Sequence, residues 1–435
     1  MSRRSLPRNV IALALVSFFT DASSEMIYPL IPAFLATVLG ASALSMGAIE
    51  GTAESVASLL KFGSGWWSDR LPKRKPLVVA GYAIASLLRP LMGIAQSATQ
   101  VFAIRVGDRI GKGIRSSPRD ALIADSVAPG ERGRAFGFHR ASDHLGAVVG
   151  PLLAFVLLQW VDVSMRVVFL LAAIPAAVAM LVLVLMVRED TRRTKMVIGD
   201  SDGQGTFDTG GAPRADPTVV ERAALPAPPA HPASLSAPPH SPAPAAGPLP
   251  QLGRRFYAYL AVLLLFTLGN STDAFLLLRA TDVGVPLALI PLLWSVLHVV
   301  KAAASTPSGK LSDRVGRRTL IVTGWLVYAA VYLGFAAAGT PWHIWALFLA
   351  YGVFFGLTEG AEKALVADLV PAPARGRAFG WYNLSIGLGA LPASVLFGAL
   401  WDRWGAPTAF TFGAGLAGVA ALGLLAVIPS GRLTT

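Results

Sequence analysis

Runs of mostly apolar residues, each interrupted by a short polar stretch, follow one another along this chain. They fall at 10–35, 45–67, 76–95, 98–117, 136–158 and 166–187, then at 256–279, 286–308, 319–338, 342–365, 378–400 and 406–428. A helix of roughly 20 apolar residues spans the hydrocarbon and satisfies its backbone hydrogen bonds internally. Between the sixth and seventh runs lies a segment rich in Pro, Ala, Gly and Ser, as in Pro226-Ala227-Pro228-Pro229. It has too little apolar surface to bury a core and is expected to be a disordered linker. The pattern predicts an all-α polytopic membrane protein of 12 transmembrane helices: a six-helix bundle over 1–189, a linker over 190–252 and a second six-helix bundle over 253–435.

Composition agrees, with 54% hydrophobic and only 14% charged residues, where a soluble domain carries about a quarter. The net charge of +12 would fit nucleic acid, but the basic residues collect in alternate loops. These hold Arg3, Arg4 and Arg8; Arg70, Lys73, Arg74 and Lys75; Arg132 and Arg134; Arg188, Arg192 and Arg193; Arg314, Arg317 and Arg318; and Arg375 and Arg377. The opposite loops hold little beyond Arg166, Arg279 and Arg403. Short cytoplasmic loops carry such an excess, so both termini and the linker are expected in the cytoplasm, with no nucleic-acid partner. The first run is too long for a signal peptide and carries Asp21 and Glu25. There is no cysteine, hence no disulfide or thiolate metal site. No nucleotide-binding loop and no nucleophile–base constellation is visible. An enzyme, an ATP-driven pump and a cofactor are therefore not expected.

The two halves repeat one another. Gly65-Trp66-Trp67-Ser68-Asp69-Arg70-Leu71-Pro72-Lys73-Arg74 recurs as Gly309-Lys310-Leu311-Ser312-Asp313-Arg314-Val315-Gly316-Arg317-Arg318, an offset of 244 (309 minus 65). Arg132-Gly133-Arg134-Ala135-Phe136-Gly137 recurs from Arg375 to Gly380 at an offset of 243 (375 minus 132), and Ala124-Asp125 recurs as Ala367-Asp368 at the same offset. Parallel repeats of this kind place a substrate between the halves, near mid-membrane.

The segment Gly309 to Arg318 matches the signature Gly-x-x-x-Asp-Arg-x-Gly-Arg-Arg, and on it the chain resembles the major facilitator superfamily. In the first copy Pro72 and Lys73 replace Gly and Arg. Gly146, Gly150 and Pro151 look like the antiporter signature Gly-x-x-x-Gly-Pro-x-x-Gly-Gly, with Ala154 and Phe155 in place of its last glycines. Arg109-Ile110-Gly111-Lys112-Gly113 is similar to the Arg-x-x-Gln-Gly motif. Together these resemble proton-coupled drug exporters. The resemblance implies alternating access by a monomer in the cell membrane. It also implies a cytoplasmic gate built from Gly65, Asp69, Arg70, Gly309, Asp313, Arg314, Gly316, Arg317 and Arg318. On physical grounds, a carboxylate at Asp69 or Asp313, just past a helix end, can cap a neighbouring helix N-terminus. Glycines four apart permit close helix packing, and Pro151 is expected to bend its helix.

Ionisable side chains within a span are costly and mark functional candidates. Asp21 and Glu25 in the first helix, and Glu50 and Glu54 in the second, are spaced i,i+4. If these faces meet they form a ladder of four carboxylates, able to hold protons. With His139, His144 or His298 they could instead bind a cation, or pair with Arg or Lys to fix the packing. Arg105, Arg109 and Lys112 share a face of the fourth helix, and Arg109 with Asp143 is a candidate buried pair. Asp273 corresponds to the Asp21 region in the second half. Glu359, Glu362 and Lys363 read as a snorkelling network. Arg105, Trp294, His298 and Phe355, with Tyr351, Phe354 and Trp381, are candidates for a substrate pocket. The sequence thus points to proton-coupled efflux of a small amphipathic or cationic compound. The alternatives are carriage of metal ions, metal chelates or organic anions, or a receptor that uses the same fold.

Overall fold

The apolar runs fold as helices, which satisfy their own backbone hydrogen bonds, and particular residues set where some of them begin and end. Ser42 and Ser97 cap the second and fourth, accepting from the Ser45 and Gln100 backbone N–H groups at 3.1 and 3.3 Å. Gly316 and Gly405 end the eighth and eleventh with positive φ of 89° and 85°, which only glycine adopts without strain. The computed structural model describes residues 6–71, 73–127, 132–189, 252–371 and 374–428. The expected linker, save Leu252, and Pro72 therefore lie outside the described residues.

The first half comprises α1 (Arg8–Val38), α2 (Ala43–Arg70), α3 (Lys75–Ile94), α4 (Ala98–Asp125), α5 (Arg132–Gln159) and α6 (Met165–Met186). The second comprises α7 (Arg254–Asp282), α8 (Leu289–Val315), α9 (Arg317–Ala337), α10 (Pro341–Asp368), α11 (Arg375–Trp404) and α12 (Ala406–Val427). No strand occurs among the described residues. Nine of the spans are apolar enough to cross a membrane on composition alone. The exceptions, α2, α4 and α8, carry internal charges. Several spans are irregular: α1 passes through a 3₁₀ turn at Tyr28–Leu30, which contains Pro29, α3 ends as a 3₁₀ helix over Arg89–Ile94, α6 breaks at Ala172, and α7 is interrupted between Gly269 and Ala274.

The halves repeat in packing as in sequence. In the first, α1 lies on α5 and α6, and α2 and α3 lie on α4; in the second, α7 lies on α11 and α12, and α8 and α9 lie on α10. The halves meet where α2 packs on α11 and α5 on α8. The repeated aspartates each hold an arginine of the repeated loop, though not the same position of it: Arg74 pairs with Asp125 at 2.8 Å, and Arg317, the counterpart of Lys73, pairs with Asp368 at 3.2 Å. These pairs lie on what is here termed the basic face, where α2 and α8 end.

The start of α3 and the end of α6 cap each other on that face. The Glu189 carboxylate accepts from the Arg74 and Lys75 backbone N–H groups at 2.8 and 2.6 Å. Lys75 Nζ donates to the Val184 and Val187 carbonyls at 3.1 and 2.6 Å. Such caps satisfy the unpaired groups at helix ends and complement the helix dipole. Glu189→Ala is expected to cost about 0.5–2 kcal/mol, read as a lower unfolding temperature in detergent, and Glu189→Asp is expected to cost less.

Candidate functional site

A face of α4 sets the electrostatics of the first half. Arg105, Asp108, Arg109, Lys112, Arg115 and Arg119 recur at spacings of three or four and so share it. Buried charges persist when paired and hydrogen-bonded, and the neighbouring helices supply the partners. Arg105, 6% exposed, makes a two-point ion pair with Glu50, 4% exposed, its Nε donating to Oε1 at 2.7 Å. Asp108 Oδ1 accepts from Arg89 Nε at 2.8 Å, and Arg89 also donates to the Thr20 carbonyl at 2.9 Å. This network ties α1, α2, α3 and α4 together.

The expected ladder of four carboxylates does not form. Gly146 and Gly150 draw α1 onto α5: a Cβ on either would collide with the Phe18 or Ala22 carbonyl oxygen. Helix α1 thus packs on α5 and α6 rather than on α2. Glu50 turns to Arg105, and Glu25 Oε2 accepts from the Trp294 indole Nε1 at 2.8 Å. Asp21 lies against α5, its Cβ packed over Gly146. The expected Arg109–Asp143 pair is also absent. Arg109 Nε lies 4.0 Å from Glu54, and Asp143 Oδ2 lies 3.5 Å from His139 and 3.8 Å from Arg140. His139 in turn meets Ser17 Oγ at 2.8 Å.

Between the halves lies a cavity of about 340 Å³. The first half contributes Tyr28, Glu50, Glu54 and Arg109; the second contributes Phe266, Phe355, Glu362 and the interruption in α7, Asn270 to Asp273. Asp273 Oδ1 accepts from Tyr351 Oη at 2.6 Å, and the Thr272 backbone N–H donates to Ser394 Oγ at 3.2 Å. The Ser271 hydroxyl is buried without a partner. Glu362 does not snorkel: it is buried and accepts from Trp325 Nε1 at 3.0 Å and Tyr382 Oη at 2.9 Å. Among the described lining residues, Arg109 is the one cation, beside Glu50, Glu54, Asp273 and Glu362.

Of the expected pocket residues, Phe355 lines the cavity, with Lys301 Nζ 4.0 Å from its ring centroid. Arg105 does not, because Glu50 occupies it. Trp294 and His298 stand outside the lining: Trp294 serves Glu25, and the His298 ring packs edge-on against it, Nε2 without a partner. Sequence reading passed over Arg89 and Tyr28, although Arg89 beside a proline in an apolar run was a visible signal.

Asp69 and Asp313 stand inside the last turns of α2 and α8 rather than past them. The side chains of Asp69, Arg70 and Asp313, and the surroundings of Gly65 and Gly309, lie outside what is described. Arg314 is exposed. Arg317 holds Asp368 and donates to Ser312 Oγ at 3.1 Å, and Arg318 donates to the Leu425 carbonyl at 2.8 Å. No group of three His, Cys, Asp or Glu side chains suited to a metal ion occurs among the described residues.

Comparison with known proteins gives this arrangement a context. The family described as Major Facilitator Superfamily matches residues 13–298 and 258–433. An uncharacterised MFS-type transporter of Methanocaldococcus jannaschii is 31% identical over 428 residues, covering 97% of this chain and 95% of its own. A multidrug resistance protein of Cronobacter sakazakii is 32% identical over 135 residues, covering 31% of this chain and 33% of its own. In fold, a peptide transporter crystal structure matches with a TM-score of 0.73 at 13% identity, covering 100% of this chain and 97% of that one. Two six-helix repeats enclosing a central cavity, with a family match across nearly the whole chain, identify this protein as a member of the major facilitator superfamily and a secondary transporter embedded in the membrane.

Proposed function

We propose that this transporter exports a small amphipathic cation in exchange for protons, with the basic face and both termini in the cytoplasm of the cell that bears it. One observation carries the reading. The cavity presents the Asp273 and Glu54 carboxylates among the rings of Tyr28, Phe266 and Phe355, against Arg109, the one cation among the described lining residues. An aromatic face and a carboxylate together suit a cation with an apolar body. Glu54 is the group proposed to exchange protons: its side chain is 44% exposed to the cavity, and Arg109 approaches no nearer than 4.0 Å. Protonating Glu54 would release Arg109, whereas Glu50 is held too firmly to cycle. The partial likeness to a multidrug resistance protein agrees. A second reading, carriage of an organic anion, is favoured by Arg109 itself, whose buried Nε has no hydrogen-bond partner.

The test reconstitutes the protein in liposomes with an imposed proton gradient and an internal pH-sensitive dye, and offers amphiphilic cations, organic anions and divalent metals. Cations are expected to dissipate the gradient. Asp273→Asn is expected to raise the half-saturating cation concentration about tenfold, the loss of one charged hydrogen-bonding partner, and Glu54→Gln to remove the proton response. Proton movement with anions alone, abolished by Arg109→Ala, would establish the second reading instead.

A further inference from the structure

The two halves are fastened away from the basic face by a carboxylate that crosses between them. Asp402, in the last turn of α11, accepts through Oδ1 from the Ala43 backbone N–H at 2.9 Å and through Oδ2 from that of Leu44 at 2.9 Å. These are the first two residues of α2, in the other half of the molecule. The first four N–H groups of a helix have no partner within it and carry the positive end of the helix dipole. Ser42 satisfies that of Ser45 within its own half. Asp402 takes two of the others from across the interface. The backbones are close enough for this because Gly398 lies against the Ala43 carbonyl and the Leu44 Cα, where a side chain would not fit. Arg403, next in sequence, turns to the Trp404 ring at 5.3 Å and leaves the carboxylate to the amides.

The other hydrogen bonds described between the halves support the same closure. Tyr28 Oη meets Thr272 Oγ1 at 3.5 Å, Trp294 reaches Glu25, and Ser295 Oγ donates to the Val148 carbonyl at 3.0 Å. Ser55 Oγ donates to the Gly387 carbonyl at 2.6 Å, about halfway down α2 and α11. All lie from that midpoint toward the Asp402 end. Admitting solute from the Asp402 side must part α11 from the start of α2, and the Asp402 bonds are the outermost that this motion breaks. We propose that Asp402 is a latch that holds the transporter closed on the face opposite the basic one and sets the balance between its two access states. The inference rests on alternating access between the halves and not on the identity of the solute.

The absence of native cysteine makes the test direct. Thr99→Cys and Thr340→Cys, exposed positions at the starts of α4 and α10 on the Asp402 side, take spin labels for distance measurement in lipid. The parent pair is expected to give mainly one short distance. Asp402→Ala is expected to raise the ratio of long to short distances about two- to thirtyfold, the equilibrium equivalent of losing a helix cap. Asp402→Asn, which keeps one acceptor oxygen, should fall between the two. A distance distribution unchanged in Asp402→Ala, with both variants as thermally stable as the parent, overturns the latch. So does a loss of thermal stability in both with no change in distances, because Asp402 is then only a structural cap. If the distances shift but no cation moves protons in the liposome assay, the latch stands and the proposed substrate class fails.

Discussion

Arg105→Ala is expected to destabilise the protein by about 3–5 kcal/mol, the cost of leaving a buried carboxylate without its partner. Glu50 is enclosed, and both its oxygens are engaged by Arg105 alone. The reverse change should be milder. In Glu50→Gln the guanidinium keeps Asp108 at 3.8 Å and the Tyr28 ring at 5.5 Å. The double variant Glu50→Gln, Arg105→Gln should recover much of the loss, since no bare charge remains. Thermal unfolding of the purified variants in one detergent checks the ordering. If Arg105→Ala and the double variant unfold alike, the pair is not energetically coupled.

Gly47→Ala is expected to cost about 1–3 kcal/mol, an overpacking penalty, although the change normally favours a helix. The added methyl would run into the Ser394 backbone carbonyl of α11, which has no rotamer through which to escape. Gly63 on the same helix supplies the control: a Cβ there meets nothing within 4 Å. Gly63→Ala is expected to be neutral or to stabilise by up to about 1 kcal/mol. Melting temperatures of the two variants, with transport rates beside them, test the pair. Equal effects at both sites would mean that α2 and α11 are not in contact through Gly47.

The fold was legible because its determinants are local. A run of apolar residues makes a span wherever it sits, and the repeated Asp125 and Asp368 announced two halves before any packing was known. The structure adds that each finds an arginine of the loop motif, Arg74 and Arg317, at neighbouring rather than matched positions. Partners within the membrane were less legible. The i,i+4 spacing put Asp21 and Glu25 on one face and Glu50 and Glu54 on another, but spacing does not say which way a helix turns, and the glycines of α5 took α1 away from α2. The sequence offered Asp143 to Arg109, and the packing of α2 on α4 brought it Glu54 instead. Asp402 drew no notice at all. It reads as a loop residue until α11 is seen to continue through it and α2 to begin beside it.

The charges in α2, α4 and α8 bear on how the protein is made. A charged residue near the centre of an isolated helix opposes its release into lipid by roughly 2.5–3.5 kcal/mol. Helix α2 emerges with Glu50 and Glu54, yet Arg105 and Arg109 follow only when α4 is synthesised. Neither helix is apolar enough to enter the bilayer on its own composition; together they neutralise one another. Insertion of α2 alone is therefore expected to be inefficient and to improve when α4 is synthesised with it, which an insertion assay on the truncated and the longer chain checks. Substitutions at Arg105 are expected to lower the amount of inserted protein as well as its stability, since they remove the partner of Glu50.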